Sequence, residues 1–255
     1  MKNKIRGKAK VNILQITDTH LFASDEQEIF GVKSNLKFRE VIKKIVDKEQ
    51  NIDLIFLTGD ISQDESTQSY QKAADILQSL NIPVFWIAGN HDNLSRLEDV
   101  FKNSNHFNQV RRLSLSTWNF IFLNTKLDGS TKGHLSTSEL QILKHEIQAS
   151  KPDKDIAIVM HHHPFAVGTP LVDNYILKNK DDFWEIVTGT KVRLIICGHV
   201  HGDYRFEHNG INIESSPATC LQWPPGSVNL KIDTAIGYKL YQFGKNHYKA
   251  SSKIW

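Results

Sequence analysis

Five separate apolar, strand-like segments of this chain each run straight into residues that bind metal ions. Val11 to Thr17 leads into Asp18-Thr19-His20, Leu54 to Thr58 into Gly59-Asp60, and Val84 to Ala88 into Gly89-Asn90-His91-Asp92. Ile156 to Met160 leads into His161-His162-His163-Pro164, and Arg193 to Cys197 into Gly198-His199-Val200-His201. In open α/β sheets the ligand site lies beyond the carboxyl ends of the strands, so five such ends converge without any long loop. Carboxylate, imidazole and amide oxygen are the donors that hard and borderline divalent ions take. Residues i and i+2 of an extended chain share a side, so Asp18 with His20, and His199 with His201, are each expected to reach one ion as a pair. Glycine precedes three of the clusters, which suits a chain turning sharply beside ions and a substrate. Any one of these motifs alone is an ordinary turn or surface pair; their joint occurrence in this order reads as one two-metal site.

The segments between the motifs carry helical and strand periodicity. From Asn35 to about Gln50, Leu36, Val41, Ile42, Ile45 and Val46 form an apolar face, and Ser66 to Leu80 turns Tyr70, Ala73, Ala74, Ile76, Leu77 and Leu80 inward. This β-α-β-α-β run requires a parallel sheet with right-handed crossovers. Leu94 to Phe101 reads as a short helix, and Arg111 to Leu115 with Trp118 to Leu123 as a hairpin opening a second sheet. Ser136-Thr137-Ser138-Glu139 has capping-box spacing and starts a helix to about Ala149. Tyr204 to His208 and Ile211 to Glu214 flank Asn209-Gly210, which suits a type I′ turn. Gly237 to Phe243 alternates as a further strand. The expectation is an α/β protein with two packed sheets and helices on both outer faces.

Composition narrows the function classes. At 255 residues and 40% hydrophobic content the chain is read as a basic tail over residues 1–10 and one domain over 11–255. The net charge of +3 owes five positives to Lys2, Lys4, Arg6, Lys8 and Lys10, and without them the balance turns slightly negative. A basic platform for extended nucleic acid is therefore not expected. Cys197 and Cys220 lack disulfide-framework or zinc-finger spacing, and Cys197 ends an apolar strand as a buried thiol would. No apolar run spans a membrane or forms a signal peptide, so the expected location is cytoplasmic. Glycine-rich phosphate loops and serine nucleophile elbows are missing, which removes kinase and serine-hydrolase chemistry.

The order D-x-H, G-D, G-N-H-D, H and G-H-x-H resembles the signature of the calcineurin-like metallophosphoesterase superfamily. Leu14 to Phe22, Met160 to Pro164 and Ser216 to Gln222 are similar to the bacterial class III 3′,5′-cyclic AMP phosphodiesterases. The resemblance implies a four-layer α-β-β-α sandwich with a di-metal site at the strand ends. It implies that Asp60 bridges two ions, that Asp18, His20 and His201 complete one site, and that Asn90, His161 and His199 complete the other. Iron and manganese are the implied metals, with zinc compatible. Hydroxide generated on the ions would open cyclic AMP to 5′-AMP. His91 then acts at the leaving group and, with Asn90, meets the substrate. Asp92 either orients His91 or caps the following helix. His162 and His163 are expected beside the ligands or the substrate, and Phe165 and Trp223 are candidates for the wall that meets the base. Other substrates, such as glycerophosphodiesters, or a non-catalytic binding role on the same fold, are the alternatives. Oligomeric state is left open.

Overall fold

Period-two alternation decides which way each strand faces, and two sets of strands turn their large side chains toward one another. The computed structural model describes residues 8–115 and 117–255. The first sheet holds β1 (Val11–Ile16), β2 (Leu54–Thr58), β3 (Val84–Ile87), β4 (Phe107–Asn108), β11 (Gly237–Gly244) and β12 (His247–Ile254), in the order β12-β11-β1-β2-β3-β4. The second holds β5 (Arg112–Leu115), β6 (Trp118–Phe122), β7 (Asp155–Val159), β8 (Val192–Cys197), β9 (Arg205–His208) and β10 (Ile211–Ser215), in the order β5-β6-β7-β8-β10-β9. β1 to β4 run parallel, as do β6, β7, β8 and β10, and antiparallel strands close the sheets at β11–β12, β5 and β9.

Alternate residues fill three layers. Ile13, Phe56, Phe85 and Ile87 of the first sheet meet Phe120, Phe122, Val159 and Ile196 of the second in a central core. Each such side chain, when fully buried, contributes roughly 1.5–3 kcal/mol. The opposite face of the first sheet packs on α1 (Ser34–Lys48), α2 (Thr67–Ser79) and α3 (Leu94–Phe101), through Phe38, Leu77 and Leu97. The outer face of the second packs on α4 (Thr137–Gln148) and α6 (Lys180–Val187), through Leu143 and Phe183. The short α5 (Pro170–Asp173) lies in the loop after β7. The result is the expected four-layer sandwich, and the C-terminal ends of β1, β2, β3, β7 and β8 carry the five motifs.

Several details depart from the sequence reading. In α1 the buried stripe is Phe38, Val41, Ile42 and Ile45, while Leu36 and Val46 are 50% and 64% exposed. Phe38 offers the larger apolar area, so the helix is rotated to bury it. Ser136 accepts from the Glu139 amide, but the Glu139 carboxylate turns away to the Asn124 amide and Arg111, which leaves the capping box half made. β12 and α6 were not expected; β12 is an edge strand whose alternation is mostly polar, HYKASSKI. Of the basic tail, residues 1–7 lie outside the described residues, while Lys8 is tied to Asp53 by an ion pair. Both cysteines are free and buried, and among the described residues no helix is long and apolar enough to cross a membrane.

A buried polar seam joins the sheets beneath the motif loops. Gln15 on β1 donates to Thr58 Oγ1 and to the Cys197 carbonyl on β8, both at 2.9 Å, and accepts from Tyr241. Nearby, Lys239 on β11 is 1% exposed and lies 2.7 Å from both Asp203 and Glu214. Removing one partner of a buried pair leaves the other charge uncompensated. Lys239→Met is expected to lower unfolding free energy by about 3 kcal/mol or more, read from urea denaturation.

Candidate metal centre

The loops leaving β1 and β2 stay side by side past the ends of the strands. Asp18, His20 and Leu21 donate their amides to the carbonyls of Gly59, Asp60 and Ile61 at 3.0, 2.9 and 2.9 Å. The backbone there is not extended, contrary to the sequence expectation. Asp18, His20, Asp60, His199 and His201 have φ of 52°, 45°, 50°, 69° and 44°, all left-handed. Asp and His tolerate this region better than bulkier side chains, at a cost of order 1–3 kcal/mol each. Asp18 and His20 come together through a left-handed turn at each residue, not through strand alternation, whereas His199 and His201 do not pair as expected: His201 turns to Asp18 and His20, and His199 to His161 and His162.

Two glycines make the crowding sterically feasible. A Cβ at Gly59 would lie 2.5 Å from His161 Nδ1, and one at Gly89 would lie 2.2 Å from Asp60 Oδ1. With both absent, the side chains close around Asp60. Its Oδ2 is 3.7 Å from His20 Nε2 and 3.3 Å from His161 Nε2, so one carboxylate oxygen faces imidazoles from two different motifs. On one side, His201 Nε2 is 3.5 Å from Asp18 Oδ1 and 3.1 Å from His20 Nε2. On the other, Asn90 Oδ1 is 3.3 Å from His161 Nε2, and the His199 ring lies 5.1 Å from that of His161.

The hydrogen bonds prepare this donor set for cations. His20 Nδ1 faces Gln63 Oε1 at 2.7 Å, His161 Nδ1 the Thr58 carbonyl at 2.7 Å, and His201 Nδ1 the Leu221 carbonyl at 3.0 Å. Oxygen acceptors on Nδ1 fix the proton there and turn the Nε2 lone pair inward, the usual arrangement of a metal-ligating histidine. His199 Nε2 is buried with no hydrogen-bond partner among the described residues. Two inward nitrogens 3.1 Å apart, an orphaned imidazole nitrogen and two buried carboxylates fit metal ions. Burial raises the Asp60 carboxyl, but His161, His91 and His20 outweigh it and hold it well below the usual range. Burial lowers His161, but Asp60 and Asp18 overcome this and push it up to about 9. Burial also pulls down His201, which Cys220 and Asp18 reverse, raising it well above its ordinary value, while burial takes His20 down to about 4. The carboxylates thus draw positive charge into the site, which is what cations would supply.

The remaining motif residues have distinct surroundings. His91 is half-buried, donates its amide to Asp60 Oδ1 at 2.8 Å, and turns its ring toward His20 at 5.0 Å. One of its ring nitrogens lies within 4.8 Å of ligand atoms of His20 and Asp60, closer than its place beside Asn90 suggested. Asp92 neither orients His91 nor caps a helix. Its carboxylate accepts from the amides of Ile61, Ser62 and Gly89, stitching two motif loops together, while Asn93 caps α3. His162 stands within 4.8 Å of His161 and His199 atoms, with Thr125 on its Nδ1. His163 instead reaches away to Asp173 at 3.3 Å.

An open cleft leads down to these groups, lined by His20, Asp60, Asn90, His91, His199 and His201 at its floor. Its upper wall contains Trp223, as expected, together with Phe30, Tyr175 and Leu230, which sequence reasoning missed. Phe165 packs against Phe206 and His208 away from the cleft, because its strand-end neighbours place it in the outer core. Gln63 and the Leu221 carbonyl were also missed. A glutamine three residues after Gly-Asp was the one legible trace of the first, and a backbone carbonyl leaves none.

The calcineurin-like phosphoesterase family model matches residues 11–203. A Vibrio vulnificus protein named 3′,5′-cyclic adenosine monophosphate phosphodiesterase CpdA is 39% identical over 226 residues, covering 88% of this chain and 82% of the relative. The Escherichia coli K12 protein of that name is 31% identical over 231 residues, covering 90% and 84%. Among solved structures, a dimetal phosphatase from Danio rerio superposes with a TM-score of 0.67 at 13% identity, covering 94% of this chain and 98% of that one, a likeness of fold.

Since a Cβ at Gly89 would overlap the Asp60 carboxylate, Gly89→Ala is expected to lower the metal content of purified protein to under half that of wild type, measured by elemental analysis, with the far-ultraviolet circular dichroism unchanged.

Proposed function

We propose that this chain, which belongs to the calcineurin-like phosphoesterase family, hydrolyses 3′,5′-cyclic AMP to 5′-AMP, with residues 11–255 as its catalytic domain. The observation that carries this reading is the likeness to phosphodiesterases of that name along nearly the whole chain, with every expected motif residue present. Asp18, His20 and His201 would hold one ion and Asn90, His161 and His199 the other, with Asp60 shared between them. Iron and manganese suit this oxygen and nitrogen donor set, and zinc is compatible with it. Two bound ions supply positive charge to phosphoryl oxygens and lower the pKa of water.

The chain's own residues account for the rest of the reaction. Asn90 and His91 face the cleft, and their amide and imidazole can donate to the phosphate of a bound diester. His91 holds a proton that passes to the departing 3′ oxygen as the P–O3′ bond breaks, which leaves the phosphate on the 5′ carbon. The hydrogen-bond partners Gln63, Thr58 and Leu221 keep His20, His161 and His201 from turning. A cyclic diester carries one negative charge and needs no basic groove, in keeping with the near-neutral body of the chain. The two buried, unpaired thiols agree with a reducing, cytoplasmic setting.

Three measurements test this. Metal-reconstituted protein is expected to turn over cyclic AMP far faster than 2′,3′-cyclic AMP or glycerophosphodiesters, and the reverse order overturns the substrate. Asp60→Asn is expected to lose metal and activity together; full activity with one ion per chain would sink the two-metal reading. His91→Ala is expected to retain its metal while kcat falls roughly 10²–10⁴-fold; loss of an ion instead would make His91 a ligand.

A further inference from the structure

We infer that Phe30 is a specificity-determining residue that stacks on the purine of the bound cyclic nucleotide, an assignment that rests on the cyclic-nucleotide reading above. Phe30 sits at the tip of a tight turn. Ile29 and Val32 exchange both backbone hydrogen bonds at 2.9 Å, and the two residues between them, Phe30 and Gly31, have φ of 49° and 78°. Positive φ at both central positions is the type I′ pattern, which favours Asn, Asp or Gly at the first of them. A bulky aromatic there is an outlier, and such strain persists where the surrounding structure enforces it and gathers at functional sites.

The turn is firmly anchored. Ile29 and Val32 are 8% and 5% exposed and belong to a small core with Phe22, Ala218 and Leu221. Phe30 itself stays outside that core and is 51% exposed, so burial does not explain why a phenylalanine occupies the strained position. Its ring instead lines the cleft above the metal centre. It meets Trp223 edge to face at 5.6 Å, and Trp223 in turn stacks on the His201 ring at 5.2 Å. A ladder of rings therefore runs from a candidate ligand to the cleft mouth, where Tyr175 and Leu230 are 39% and 57% exposed. With the phosphate over the metal centre, the flat, apolar end of the substrate falls among these side chains. An aromatic face recognises a base by its π surface.

The test compares cyclic AMP with a base-free ribofuranose 3′,5′-cyclic phosphate, using metal-loaded wild type, Phe30→Asn, Phe30→Gly and Phe30→Tyr. The ratio of kcat/KM for cyclic AMP over the base-free diester is expected to fall roughly 5- to 100-fold in the Asn and Gly variants, mainly through KM for cyclic AMP. Tyr is expected to preserve the ratio. Because Asn and Gly suit the turn, their melting temperatures are expected at or above that of wild type. A ratio unchanged in both variants, or a fall in melting temperature with both substrates impaired equally, overturns the assignment. Wild-type protein that leaves cyclic AMP intact overturns the parent reading and this one together.

Discussion

The structure turns on two carboxylates that it removes from water. Asp18 and Asp60 are 0% and 2% exposed at the point where the two sheets meet. Isolated anions in such a place would be strongly unfavourable. The motifs that reach this point bring electropositive or hydrogen-bond-donating partners: the imidazoles of His20, His91, His161 and His201 from four strand ends, and the amides of His91 and His199. The sandwich positions these groups. Parallel strands in both sheets deliver their carboxyl ends to one edge, and the Gln15 seam locks the edges of β1, β2 and β8 together.

The strands and the convergence of their ends were legible because apolar runs of five or six residues stop abruptly at chemically distinctive residues. Periodicity also resolved α2 and α3. In α1 it found the helix and the buried Val41, Ile42 and Ile45, but it also turned Leu36 and Val46 inward, where Phe38 claims the direction. It failed for β12, whose edge position lets Lys, Ser and His fill alternate places. In the site, residue types were readable while backbone conformation was not, since Asp and His carry no visible mark of left-handed φ. Asp92 could be read as a cap or an orienting carboxylate, and its actual partners, three amides from two loops, are fixed by tertiary contact. Phe30 hid for a similar reason: it lies within a polar loop, and only the folded turn brings it to the cleft.

The centre and the rim of the cleft are held by different contacts. The ligand loops are held by glycine-tight packing and by a hydrogen bond outside each of three imidazoles. At the cleft mouth Phe30 meets Trp223 edge to face, and Trp223 stacks on the His201 ring. A change of side chain at the rim alters the wall of the cleft, whereas a Cβ at Gly59 or Gly89 would collide with His161 or Asp60 at the centre.

Sheet order carries a further implication, for how the chain folds. β1 finds one neighbour at once in β2, with Leu14 opposite Ile55, but its other edge waits for β11, where Val11 pairs with Phe243. Until that late segment has left the ribosome, the strand leading to Asp18 and His20 keeps an unpaired edge, and Gln15 lacks its Tyr241 partner. Such high contact order slows folding and prolongs exposure of a template for misassociation. The first of the five motifs to be translated is therefore among the last to have its strand fully paired, which ties assembly of the candidate centre to completion of the sheet.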